Sequence, residues 1–144
     1  MNDHNQNEGN DMKLCYIAGA FRHSDEGGII NNVYVAAKVA SQVADTSKYN
    51  LFPVCPHTLT YQVWQSFSDE IRDEIPDEWW LEGTIKLLSY CDCAVFMPNW
   101  DNSEGSKAEL EFCKTYAIPF VILTEWSYEH VHDKVDMLLR KING

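Results

Sequence analysis

The stretch CAVFMPNWDNSEGSKAELEFCKTYAIPFVILT, residues 93–124, decides the fold. It opens and closes on short, continuously apolar runs, CAVFM (93–97) and PFVILT (119–124). Neither run alternates with polar residues, so both read as strands covered on two faces, the habit of parallel sheets. Between them, residues 103–117 carry apolar side chains at helical spacing, with Asn102 or Ser103 as the N-cap. A strand, a helix and a second strand make a crossover unit, and right-handed crossovers return the second strand parallel to the first.

The same alternation extends in both directions. KLCYIA (13–18), closed by Gly19, is a first buried strand, and residues 31–45 form a helix through Val33, Ala36, Ala37, Ala40, Val43 and Ala44. LFPVC (51–55) is a second strand, placed at a sheet edge by Pro53, which cannot donate to a ladder. Residues 56–75 read as a long aromatic-rich connection of the lid or binding-loop type. Residues 76–90 start like a helix, with Pro76, Asp77 and Glu78 in the first turn, and residues 128–142 close the chain as another. The expected architecture is α/β: a flavodoxin- or Rossmann-like doubly wound parallel sheet of four to five strands in three αβα layers. Ligands of such sheets bind beyond the carboxyl ends of the strands, which selects the loops at 19–28, 56 onward, 98–105 and 125–126.

Composition narrows the function classes. With 144 residues, 45% of them hydrophobic and 12% aromatic, the chain is one globular domain over residues 12–144, and the polar start, residues 1–11, reads as a flexible tail. The net charge of −11 argues against a nucleic-acid polymer as partner, since gripping its backbone needs a basic face. No apolar run approaches the ~20 residues of a membrane span. The first residues lack the basic start and apolar core of a signal peptide. With five cysteines (Cys15, Cys55, Cys91, Cys93 and Cys113) left reduced, the expected location is cytoplasmic. Cys91-Asp92-Cys93 lacks a second ligand pair at metal-site spacing, so these cysteines read as buried packing residues, and no metal or cofactor is expected.

Three glutamates, Glu104, Glu109 and Glu111, stand close together in the opening stretch. Glu104 lies in the first helical turn, where a negative charge suits the dipole. Advancing ~100° per residue puts Leu110, Phe112, Cys113, Tyr116 and Ala117 on one side of the helix. Lys107, Lys114 and Glu111 fall on the other, with Glu111 spaced to pair with both lysines. Glu109 lies in the middle of the apolar arc. A carboxyl there is paired, protonated or working, and the readings left open are a catalytic group and a glutamate bonded to a neighbouring loop.

YIAGAFR (16–22), FPVCPH (52–57), DEWWLEG (77–83), CDCAVFMPNW (91–100) and SEGSKAELEFCKTYAIP (103–119) resemble the nucleoside 2-deoxyribosyltransferase superfamily. They look most like a bacterial and phage branch related to nucleoside 5′-monophosphate N-glycosidases, and the likeness spans residues 12–124. It implies cleavage of the N-glycosidic bond of a nucleoside or nucleoside 5′-monophosphate, by hydrolysis or by transfer to a second base. It implies Glu109 as the nucleophile and Tyr16 as the group that orients it. Gly105 matches a family glycine that lets backbone approach the sugar. Ser103 matches a serine that holds the 5′-phosphate, although an ordinary N-cap would also be a serine. Arg22 matches an arginine near phosphate or base, and its alternative is a plain surface charge. Gly19 closes the first strand beside them, while His57 and Trp100 are base or sugar contacts or else loop packing; Trp79 and Trp80 read as core and interface. The likeness further implies a homodimer or larger assembly, with residues 77–81 suited to an interface.

One departure stands out. The family places a second carboxylate eight residues before the aspartate that is Asp92 here, and that position holds Thr84. This acid normally fixes the reactive glutamate or gives a proton to the leaving base. Three readings follow: Asp77, Glu78 or Glu82 supplies the proton; the base is one that leaves easily, so that one carboxylate and a water suffice; or the chain is a non-catalytic nucleotide-binding or sensor module.

Overall fold

The computed structural model describes residues 11–22 and 26–144. The proposed flexible tail, apart from Asp11, and part of the loop after the first strand therefore lie outside the described residues. The chain forms β1 (Lys13–Ala18), α1 (Glu26–Thr46), β2 (Leu51–Val54), α2 (Pro56–Ser66), α3 (Asp69–Glu74) and α4 (Asp77–Ser89). These are followed by β3 (Cys93–Phe96), α5 (Glu104–Thr115), β4 (Phe120–Ile122) and α6 (Tyr128–Asn143).

The four strands make one all-parallel sheet in the order β2-β1-β3-β4. Register is set by pairs such as Cys15 with Cys93 and Ala94 with Phe120, and the Asp92 carboxylate accepts the Leu14 N–H at 2.8 Å beside that pairing. Each face of the sheet buries its own core. Cys15, Ile17, Val95 and Met97 meet Val39 and Val43 of α1 and Val131, Val135 and Leu138 of α6. Tyr16, Ala18, Ala94 and Phe96 meet Leu88 of α4 and Leu110 and Cys113 of α5. The expected three-layer doubly wound α/β fold is what forms, because continuously apolar strands can be covered only by helices on both sides. All five cysteines are free and buried, as their apolar settings implied. No described helix is long and apolar enough to cross a membrane.

Both sheet edges are guarded. β2 is an edge strand containing Pro53, as its sequence implied. At the other edge β4 is three residues long, and Lys141 of α6 donates to the Phe120 carbonyl at 2.8 Å.

Four expectations are corrected. Residues 56–75 are two helices rather than an irregular connection: Pro56 starts α2 at its first turn, where no N–H is needed, and Ser68 caps α3 by accepting from Ile71 N. Pro76 is the N-cap of α4, one residue outside it. The helix after β3 stops at Thr115, where Ala117 turns left-handed (φ 58°) and Ile118 N closes back on the Cys113 carbonyl at 2.9 Å. Tyr116 is consequently 66% exposed instead of facing the core. Glu111 pairs with Lys114 alone, at 3.5 Å, because Lys107 turns to Glu104 at 3.2 Å.

Candidate active site

The order β2-β1-β3-β4 puts the point where the winding reverses between β1 and β3, and the crevice beyond their carboxyl ends is the natural ligand site. A cavity of about 460 Å³ opens at that end. Its walls come from the segment 19–22 after β1, one face of α2 from Pro56 to Trp64, the first two turns of α4 and the N-terminal half of α5 with the two residues before it.

Glu109 reaches into this cavity from α5, yet it is only 6% exposed. Behind it, Tyr16 is fully buried in β1 and donates its hydroxyl to Glu109 Oε2 at 2.5 Å. This tie between residues 93 positions apart fixes the carboxyl in place. Burial pushes the Glu109 carboxyl up to about 7, outweighing the opposite pull of the Tyr16 and Thr84 hydroxyls. Burial also holds the Tyr16 phenol well above 10, reinforced by the charge of Glu109 and the bond to it. Tyr16 therefore stays a donor while the carboxyl titrates near neutrality. A partly desolvated carboxylate, poised around pH 7 and held from behind, can attack or stabilise an electron-poor carbon.

Ser103 caps α5, its Oγ accepting from Ser106 N at 3.1 Å, so the capping role open to it is realised while its hydroxyl hydrogen remains able to donate. Gly105 follows in the same turn. A Cβ there would come no nearer than 3.6 Å to Ser103 Oγ, so its bareness leaves room in the cavity rather than relieving a clash with the protein. Gly19 is different. A Cβ on it would strike Met97 Cε and stand 2.8 Å from Asn99 Oδ1, so only glycine lets the segment after β1 pass this close to β3. That segment is pinned further by Ala20 N donating to Asn99 Oδ1 and Asn32 Nδ2 donating to the Phe21 carbonyl, both at 3.2 Å.

Arg22 lines the cavity but spends its guanidinium on Asp77 at 2.8 Å. His57 is a strut as much as a wall. It is 4% exposed, and its Nε2 lies 3.1 Å from the Gly19 carbonyl and 3.0 Å from that of Ala20. Carbonyls only accept, so Nε2 carries the hydrogen and Nδ1 is left as an acceptor, with no partner among the described residues. Burial pushes this imidazole down against the pull of those carbonyls, which keeps it neutral.

Six of the eight expected site residues, Gly19, Arg22, His57, Ser103, Gly105 and Glu109, thus line one cavity, and Tyr16 supports it from behind. Trp100 does not line it: the indole packs edge-on against Phe96 and belongs to the core under α5. The reverse holds for Trp80, read as core and interface, which forms part of the wall together with Leu81. Phe21, Thr60 and Trp64 were missed; the last two lie on α2, whose helical form would have carried them to the cavity as a face. Thr84 sits in the wall beside Glu109, its hydroxyl 3.2 Å from the Leu81 carbonyl. Of the three acids that could replace it, Asp77 and Glu78 line the cavity and Glu82 does not.

Removing the Tyr16 hydroxyl tests the support. Tyr16→Phe leaves the ring packed but deprives the carboxylate of a short charge-assisted bond, so the acid limb of any pH–rate profile should move upward and the rate at pH 7 should fall about tenfold. An unshifted limb would mean that Tyr16 does not govern the ionisation of Glu109.

No family model, no curated protein and no solved structure matches this chain. The family likeness therefore rests on the motifs quoted above.

Proposed function

We propose that the chain is an N-glycoside-cleaving enzyme of the nucleoside 2-deoxyribosyltransferase type, acting on a nucleoside or nucleoside 5′-monophosphate by hydrolysis or base transfer. The observation that carries this reading is the carboxyl of Glu109, buried at the floor of a ligand-sized cavity and gripped by Tyr16 at 2.5 Å. In the proposed reaction Glu109 attacks the anomeric carbon as the bond to the base breaks, and the positive charge that develops on the sugar faces a carboxylate that needs no reorganisation. Gly105 leaves space for the sugar, and the capped start of α5 offers N–H groups to a hydroxyl or phosphate at its far end.

A second reading is favoured by one observation, the threonine at position 84. Without a proton donor at that place, the same cavity would serve a nucleotide-binding or sensor module.

The two readings part on whether base is released. Chromatography of free base, after incubation with ribo- and deoxyribonucleosides and their 5′-monophosphates, should show release from at least one of them. A panel that shifts the melting temperature while yielding no base would transfer the assignment to the binding module.

A further inference from the structure

Breaking an N-glycosidic bond leaves the bonding electron pair on the base. A neutral base departs as an anion and needs a proton; a base that is already cationic departs neutral and needs none. The supply of protons around Glu109 is therefore informative, and it is short.

The Tyr16 hydroxyl hydrogen points at Glu109 itself. The Thr84 hydroxyl lies 3.2 Å from the Leu81 carbonyl and also faces the Tyr16–Glu109 pair, so it is engaged with protein groups, and the Nε2 hydrogen of His57 is held between two backbone carbonyls. The one buried polar side-chain atom left without a partner among the described residues, His57 Nδ1, is an acceptor. Asp77 is bound by Arg22, and Glu104 by Lys107 from outside the cavity, which leaves Glu78, on the first turn of α4 and not at position 84, as the other lining carboxyl. Charge has the same sense. Four carboxyl groups, Asp77, Glu78, Glu104 and Glu109, line the cavity against one cation, Arg22, and that cation is already paired. Trp80 adds an aromatic wall, while the Trp64 ring is already occupied, with Arg72 4.3 Å from its centroid and Tyr61 stacked at 6.0 Å. The cavity is rich in carboxyl groups, and although Ser103 and Ser106 bring hydroxyls, a hydroxyl is no acid, so the position beside Glu109 lacks a group that can give up its proton to a leaving base.

We propose that the preferred substrate is an N-glycoside whose base already carries a positive charge, a pyridinium or N-alkylated purinium nucleoside. This rests on the assignment of Glu109 as nucleophile. A Glu109 oxygen bonds to the anomeric carbon while the carbon–nitrogen bond breaks, its electron pair neutralises the ring cation, and the base leaves uncharged. Water then attacks the anomeric carbon, the ester bond to Glu109 breaks, and one proton passes to solvent. The sum is cationic nucleoside plus water giving neutral base, free sugar and a proton. The threonine at position 84 is then fitted to its substrate, because the leaving group has no use for an acid.

The experiment compares kcat/KM for nicotinamide riboside and 7-methylguanosine with that for guanosine and 2′-deoxyguanosine. Glu109→Gln serves as the blank for spontaneous loss of the labile cationic bases. The cationic pair should exceed the neutral pair by roughly 10²-fold or more after that correction, the scale of a missing acid. Calorimetry on Glu109→Gln should show 7-methylguanosine binding roughly fivefold tighter than guanosine at low salt, with the gap narrowing as salt is raised. Neutral nucleosides cleaved as well as cationic ones would overturn the preference while leaving Glu109 as nucleophile. Base release undiminished in Glu109→Gln would overturn both, and no release above the blank from any of the four would overturn the preference for cationic nucleosides.

Discussion

The Glu109→Gln protein is expected to release base roughly 10³-fold or more slowly than the parent, since an amide is no nucleophile, and also to resist unfolding better at pH 8. The second half follows from the raised carboxyl. Its ordinary value is 4.5 and its folded value is about 7, so between those pH values the folded chain holds a proton that the unfolded chain has released. Stability therefore falls as pH rises through that window, and the full cost, at most about 3 kcal/mol, is present above it. Glutamine keeps the shape and can still accept from Tyr16, but it never ionises. Melting followed by circular dichroism should place the variant several degrees above the parent at pH 8 and converge with it near pH 4.5. Equal melting at both ends of the range would show that the carboxyl is not raised. An active variant would place the nucleophile elsewhere.

The second large effect runs toward gain. Thr84→Glu should accelerate base release from neutral nucleosides by about 10²-fold, the lower end of what a positioned general acid contributes. Thr84 lines open space beside Glu109, so the longer side chain extends into the cavity rather than into packed core. Two carboxyls that close cannot both ionise easily, and the proton they share becomes available to the leaving base. A folded variant with no gain on guanosine would mean that proton supply does not limit its cleavage, and that the barrier lies in binding or in the sugar.

Sequence and structure agree where one signal dominates. The apolar runs of β1, β3 and β4 have no polar face, so they had to lie inside a covered parallel sheet, and Pro53 had to mark an edge. Glu109 was legible for a similar reason: helical spacing surrounded a carboxyl with Leu110, Phe112 and Cys113, and only a special environment accommodates that. The failures occur where two signals compete. Aromatic richness in residues 56–75 hid a helix opened by Pro56, and with it the reach of Thr60 and Trp64 into the cavity. Trp80 reads as core or interface and Trp100 as a base or sugar contact or loop packing, and no local pattern says which indole the fold turns toward space and which toward Phe96. The Arg22–Asp77 pair joins residues far apart in the chain, so its neutralising effect emerges only from the folded molecule.

The two guarded edges of the sheet bear on how copies of this chain can meet. A proline in one outer strand interrupts the row of donors that an incoming strand would need, and at the other margin a lysine ammonium already occupies an outward carbonyl of a strand only three residues long. Neither margin is a template for growth, so joining by strand addition, whether in an ordered dimer or in a fibrous aggregate, is disfavoured at both ends. Any symmetric assembly is left to the helical flanks, and a mutation that removed both Pro53 and Lys141 would open a route to association that the native chain keeps shut.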